Sequence, residues 1–304
     1  DGNPEDGLTE LLASGVRFSC EALIRLIDTL HELDRDDLIA ENVHILEERT
    51  EFKELLYYEA SEALIHNDRY ISVARDLAEE LTKNEPFNPD DWVQLAKAEF
   101  GMEHFDEAIV AADYALAIDP SHVHAQLMKG LALATSDDTR HEAIALLSDV
   151  LRVEPENSLA VKALAEAYRA DGKKGAALEV YRGFMVSSEA NSFVLLDILK
   201  MHPDDPVPFL ELFSRQTGHT ERKWLEMAAQ LANEHELLGA LDMLDYYHER
   251  YTLREGMEYY IRINYEASRY ERVIELFDWC LEQSQAPEGI RYGFSPFCYL
   301  LVAG

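Results

Sequence analysis

Apolar and small residues recur along this chain at a period close to 34 residues, with helical spacing inside each period. Asn88-Pro89-Asp90-Asp91-Trp92 leads into Leu95-Ala96, then Phe105, Ala108-Ile109, Ala112, Ala115-Leu116 and Pro120. Ala143-Ile144, Val150-Leu151 and Pro155 repeat the second half of that series 35 residues on, and Leu164-Ala165, Tyr168, Ala177-Leu178 and Tyr181 belong to the next unit. Each unit thus predicts two amphipathic helices, because apolar residues three and four apart share one helical face. A fixed step of 16 residues links the first helix to the second: Trp92 to Ala108, Tyr57 to Val73, Val161 to Ala177, Trp224 to Ala240 and Met257 to Val273. Gln126 to Ala143 is 17, the extra residue falling in the turn Thr135 to Thr139, where added loop length costs little. Small residues at Ala96, Gly130, Ala165 and Ala228 allow the paired helices a close approach. Pro120 and Pro155 stop the second helices, since proline lacks the donor that the ladder needs.

Self-similarity at this period marks a helical repeat array. The slot pattern resembles that of the tetratricopeptide repeat family over roughly residues 54–286. The resemblance implies an all-α fold, a right-handed α-solenoid of stacked antiparallel helix pairs. It divides the chain into an N-terminal helical cap (1–53), units one to four (54–187), an irregular helix pair (188–220), units five and six (221–287), and a C-terminal capping helix or the start of a continuation (288–304). The cap is expected to hold helices at about 19–33 and 35–49. Three prolines within His202 to Pro208 make the irregular pair turn rigidly.

Composition narrows the partners. The sequence carries 27 Lys and Arg against 59 Asp and Glu, a net charge of −32. Such a field repels phosphates and anionic lipid, so neither nucleic acid nor membrane is an expected partner. The odd, scattered cysteines Cys20, Cys280 and Cys298 argue for a reducing, cytoplasmic setting. The resemblance implies a groove lined by one face of each first helix. Mapped residue by residue, that face holds eight acids and five bases in 36 positions, close to the chain average, so the acidity is not concentrated along the groove as a whole. It is densest in residues 1–90, with 23 acids against 8 bases. That surplus reads as a solvated surface or as a dock for a basic partner.

Apolar groove positions Val93, Phe100, Leu127, Met128 and Leu131 suggest a floor for a peptide or helix, unless they pack against a neighbouring first helix. Lys97, His124, Lys162, Arg169 and Arg262 supply polar contacts. Among the tyrosines concentrated between Tyr246 and Tyr299, Tyr259 and Tyr265 fall on the groove face, whereas Tyr247, Tyr260 and Tyr270 fall in slots that face neighbouring helices. Only Lys97 among the places matching a carboxylate-clamp set has the required charge, so that variant of the family is not expected.

Catalytic signatures are missing from the sequence. Four His-Glu dipeptides, at His31, His141, His235 and His248, lack a second histidine four residues on. Asp171-Gly172-Lys173-Lys174-Gly175 lacks Walker spacing and falls in an interhelix turn, and His122-x-His124 beside Asp119 reads as a chance pair rather than a metal site. The expectation is therefore a non-catalytic scaffold that binds a protein or peptide partner, without cofactor or metal. Two alternatives stay open: a regulatory or substrate-recognition module of a larger enzyme, and a self-associating assembly factor that forms homo-oligomers through its terminal helices.

Overall fold

The computed structural model describes residues 4–187, 192–217 and 220–285. Among these it is helical throughout, in two compact units, one up to Ala167 and one from Tyr168. The first unit opens with α1 (Pro4–Ala13) and the pair α2 (Cys20–Glu32) and α3 (Asp36–Glu48). Three further pairs or parts of pairs follow: α4 (Lys53–Leu64) with α5 (Ile71–Asn84), α6 (Pro89–Gly101) with α7 (Phe105–Ile118), and α8 (Val123–Leu133) with α9 (Arg140–Val153). Helix α10 (Ser158–Ala170) runs over the boundary. The second unit continues with α11 (Lys174–Ser187), α12 (Ser192–Lys200), α13 (Val207–Thr217), α14 (Glu221–Asn233), α15 (Leu237–Tyr251), α16 (Met257–Glu266) and α17 (Tyr270–Gln285). The chain is an all-α array of helix pairs, and the cap contributes one more pair than the repeat units alone. Residues 288–304, with the expected terminal helix and Cys298, lie outside the described residues.

Local chemistry repeats with the period. Asn88, His122 and Asn157 sit 34 and 35 residues apart, and each side chain accepts a hydrogen bond from a backbone N–H in the first turn of the helix that follows, at Asp90, Ala125 and Ala160. These caps satisfy donors that a helix start leaves without a partner. Six residues after Pro86 and Pro120, the Trp92 indole and the Gln126 amide donate back to the proline carbonyls, each at 3.0 Å. Five first helices, α2, α6, α10, α14 and α16, are followed by a left-handed residue: Asp34, Glu103, Gly172, His235 and Ser268 have φ between 57° and 71°. At Glu103 the next residue, His104, donates to Glu99 O at 2.9 Å; at Ser268, Arg269 donates to Asn264 O at 2.8 Å. This Schellman-type ending closes the last carbonyls and reverses the chain for the second helix.

Packing follows the small residues. A methyl group on Gly130 would come within 2.9 Å of the Leu147 side chain, so α8 and α9 touch where the sequence left room. Ala96, Ala165 and Ala228 are buried at the same slot of their pairs. In the second unit Trp224 is fully buried, stacked on Tyr246 with centroids 5.5 Å apart and edge-on to Phe213 at 5.6 Å. Side-chain hydrogen bonds between neighbouring pairs join residues one period apart. Asn67 to Asp36, Lys97 to Glu62 and Gly256 N to Glu221 span 31, 35 and 35 positions. Each pair therefore leans on its immediate neighbours, which is how a linear array gains stability from nearest-neighbour interfaces.

Candidate interaction surface

Successive first helices of the first unit lie side by side: α2 touches α4, α4 touches α6, and α6 touches α8. Their facing side chains are tied across each junction. Glu62 on α4 receives hydrogen bonds from Lys97 Nζ at 3.0 Å and from the Gln94 amide, both on α6. His122 accepts from Ala125 N through Nδ1, which leaves Nε2 as the N–H that donates to Asp90 Oδ1 at 3.1 Å. Burial pushes the Glu62 carboxyl upward, but the Gln94 and Lys97 hydrogen bonds and the Lys97 charge outweigh it and hold the pKa low.

This arrangement removes three residues from the expected groove floor. Val93, Leu127 and Met128 are 4, 5 and 6% exposed, with Val93 and Met128 in one core cluster with Ala96, Ala111, Ala112, Ala115 and Ala125. They pack between helices and leave almost no area for a partner. Phe100 and Leu131 pack on the same cluster but stay half-buried. Lys97 is half-buried on its Glu62 bridge, and His124 and Lys162 are exposed.

In the second unit Arg169 is exposed, and Tyr259 is half-buried under the Arg262 guanidinium, 5.0 Å from its ring centroid. Tyr265 is 37% exposed, edge-on to Tyr270 at 5.5 Å. Tyr247 and Tyr260 are core residues as expected; Tyr270 is not, at 54% exposure. It is the first residue of α17, at the turn out of α16, and among the described residues more than half of its surface stays open. Tyr260 donates to Asp245, which also pairs with Arg269 at 2.9 Å. That polar bridge between α15 and the α16–α17 turn is a feature no sequence pattern announced.

Two carboxyls stand out electrostatically. Burial, with Glu85, Asp90 and Glu54 nearby, raises Asp91 to about 6 against one opposing hydrogen bond from Asn88. Burial and the Asp245 charge raise Asp242 to about 6. Cys20 is an exposed thiol, and burial pushes the Cys280 thiol up to about 12. Among the described residues no group of three or more His, Cys, Asp or Glu is arranged to hold a metal, and His122 and His124 sit with ring centroids 6.1 Å apart. No described helix is long and apolar enough to cross a membrane.

No curated protein matches the chain in sequence. The tetratricopeptide repeat family model matches residues 93–139 and 140–187, the segment from α6 to α11. Three solved structures share the fold at low identity. A thermophilic tetratricopeptide repeat protein of Thermus thermophilus is 18% identical, with a TM-score of 0.50 over 60% of this chain and 99% of that one. PilF of Pseudomonas aeruginosa is 12% identical, with a TM-score of 0.52 over 76% and 97%. A tetratricopeptide repeat protein of Parabacteroides merdae is 11% identical, with a TM-score of 0.50 over 80% and 98%. With the side-chain caps, the left-handed first-helix endings and the glycine contact between α8 and α9, these matches show that residues 93–187 carry tetratricopeptide repeats and that the chain has the all-α helix-pair fold of tetratricopeptide repeat proteins.

Proposed function

We propose that this protein is a protein-interaction scaffold, without catalysis of its own, that seats a peptide or helical segment of a partner on the exposed side of its first helices. The observation that supports this most is the side-by-side packing of α2, α4, α6 and α8, with Glu62–Lys97 and Asp90–His122 bridging adjacent first helices. Side chains from several units thereby come within reach of one extended ligand, as recognition by a repeat array requires. The contact set in the first unit is Lys97, Phe100, His124, Leu131 and Lys162; in the second it is Arg169, Tyr259, Arg262 and Tyr265. Affinity capture from the native lysate, followed by cross-linking and mass spectrometry, tests the reading. Lys162→Glu combined with His124→Glu, both at exposed positions, should lose a partner that wild type retains, with helicity and melting unchanged. Partners held equally by that variant and by Tyr259→Ala with Arg262→Glu would refute it.

A further inference from the structure

The first unit gathers carboxylates where its first three first-position helices meet. Asp28 on α2, Glu54, Glu59 and Glu62 on α4, and Asp90 and Asp91 on α6 influence one another or the Tyr58 phenol electrostatically. The Lys97 ammonium is the one fixed cation within ion-pair distance of any of them among the described residues, and it is committed to Glu62. Among the described residues, the Asp90 carboxylate has the His122 hydrogen bond alone, and Asp28, Glu54 and Glu59 have no cation at ion-pair distance. Tyr58 lies half-buried at the centre, its phenol raised by burial and then by Glu62, Asp90, Glu59 and Asp91.

A second, independent feature sits at the same place. Gln94 is 1% exposed, its amide donates to Glu62, and its Oε1 has no hydrogen-bond partner. A buried acceptor without a donor costs about 1–3 kcal/mol. Crowded like charges are unfavourable as well. Both deficits have the same remedy, an added cation that carries N–H groups.

We propose that the α2–α4–α6 junction is a subsite for a lysine or arginine side chain of the bound partner, held by Glu59, Glu62 and Asp90 with Tyr58 as an aromatic wall. The proposal rests on the scaffold reading and specifies the chemistry of its ligand. Carboxylates supply charge-assisted hydrogen bonds, and an aromatic face beside them adds attraction for a cation. Averaged over the whole groove the charge is unremarkable; only the convergence of three helices concentrates it here.

The test is fluorescence anisotropy with a labelled short alanine/arginine peptide, and an alanine/glutamate peptide as its charge-reversed counterpart. Wild type should bind the first and not the second. Glu59→Gln with Glu62→Gln should weaken binding by about tenfold or more, whereas Asp106→Asn with Glu107→Gln, an equal charge change at exposed α7 positions, should leave it within about twofold. Glu59→Gln alone should also melt no lower than wild type, because it relieves repulsion with Asp28 and Glu62. Equal losses for both pairs of neutralisations would show a general field effect and overturn the proposal, as would failure of wild type to bind the arginine peptide. If that failure comes while the native partner is still captured, the cation subsite falls and the scaffold reading survives; loss of capture as well would sink both.

Discussion

Gly130→Ala and Gly183→Ala are the same chemical change in two helices, and the structure gives them opposite signs. Replacing a helical glycine by alanine in a permissive site stabilises by about 0.5–1 kcal/mol, through lost backbone freedom in the unfolded chain. At Gly183 on α11 no described residue lies within 4 Å of the new methyl group, so that gain should appear there. At Gly130 the methyl meets Leu147 Cγ and Cδ2 at 2.9 Å, and Leu147 is fully buried and has nowhere to go. Overpacking of that kind costs about 1–3 kcal/mol. The propensity gain is common to both, so the difference between the two variants isolates the overpacking cost, about 1–3 kcal/mol. Urea unfolding followed by circular dichroism at the helical band measures it. Amide hydrogen exchange should further show faster opening confined to α8 and α9 in Gly130→Ala, since a repeat array adds up local terms. Adding Leu147→Val to Gly130→Ala should restore part of the loss, a coupling expected only of residues in contact. Two variants that shift the unfolding midpoint in the same direction would refute the argument that α8 and α9 touch at Gly130.

Three other outcomes are expected. Leu127→Asp with Met128→Asp should unfold the first unit rather than silence a binding site, losing more than about 4 kcal/mol as two charges enter a packed core; a native-like helical signal would contradict their burial. Glu103→Gly and Ser268→Gly, at φ 62° and 60°, should each raise stability by about 0.5–1 kcal/mol, because a side chain at a left-handed helix ending is strained where glycine is not; a lower melting temperature in either would count against this. Asp91 is raised from 3.8 to about 6 by burial, so its folded form holds a proton that the unfolded form releases. Its contribution to stability is complete below pH 3.8 and lost as pH rises through about 6. Unfolding free energies measured from pH 4 to 7 should therefore show Asp91→Asn gaining on wild type as pH rises, and Asp242→Asn likewise. A constant difference would remove the desolvation argument.

The helical layout was legible along the chain for identifiable reasons. The 16-residue step from Trp92 to Ala108, the stop at Pro120 and the small residue at Gly130 are local or one-helix properties, and the structure places helices, endings and close contact there. Tyr247 and Tyr260 were recognisable as core by the same slots. The candidate surface was less so. Val93, Leu127 and Met128 lie on the stripe that the helical period assigns to the groove, beside Lys97 and His124, yet they are buried and those two are not.

Periodicity determines which residues share a face of a helix, and here that was enough to determine pairing, repeat length and the fold class. It does not determine how much of the face the next first helix covers, because that depends on the distance and angle between neighbouring pairs. The same limit applies to charge. Counted along the sequence the groove face is near the chain average, while Asp28 and Asp90 join the Glu59–Glu62 pair of α4 only once α2, α4 and α6 stand side by side. Coulomb energy and burial depend on distance in space, so only the tertiary structure could decide where this acidic chain concentrates its charge and which side chains it leaves open to a partner.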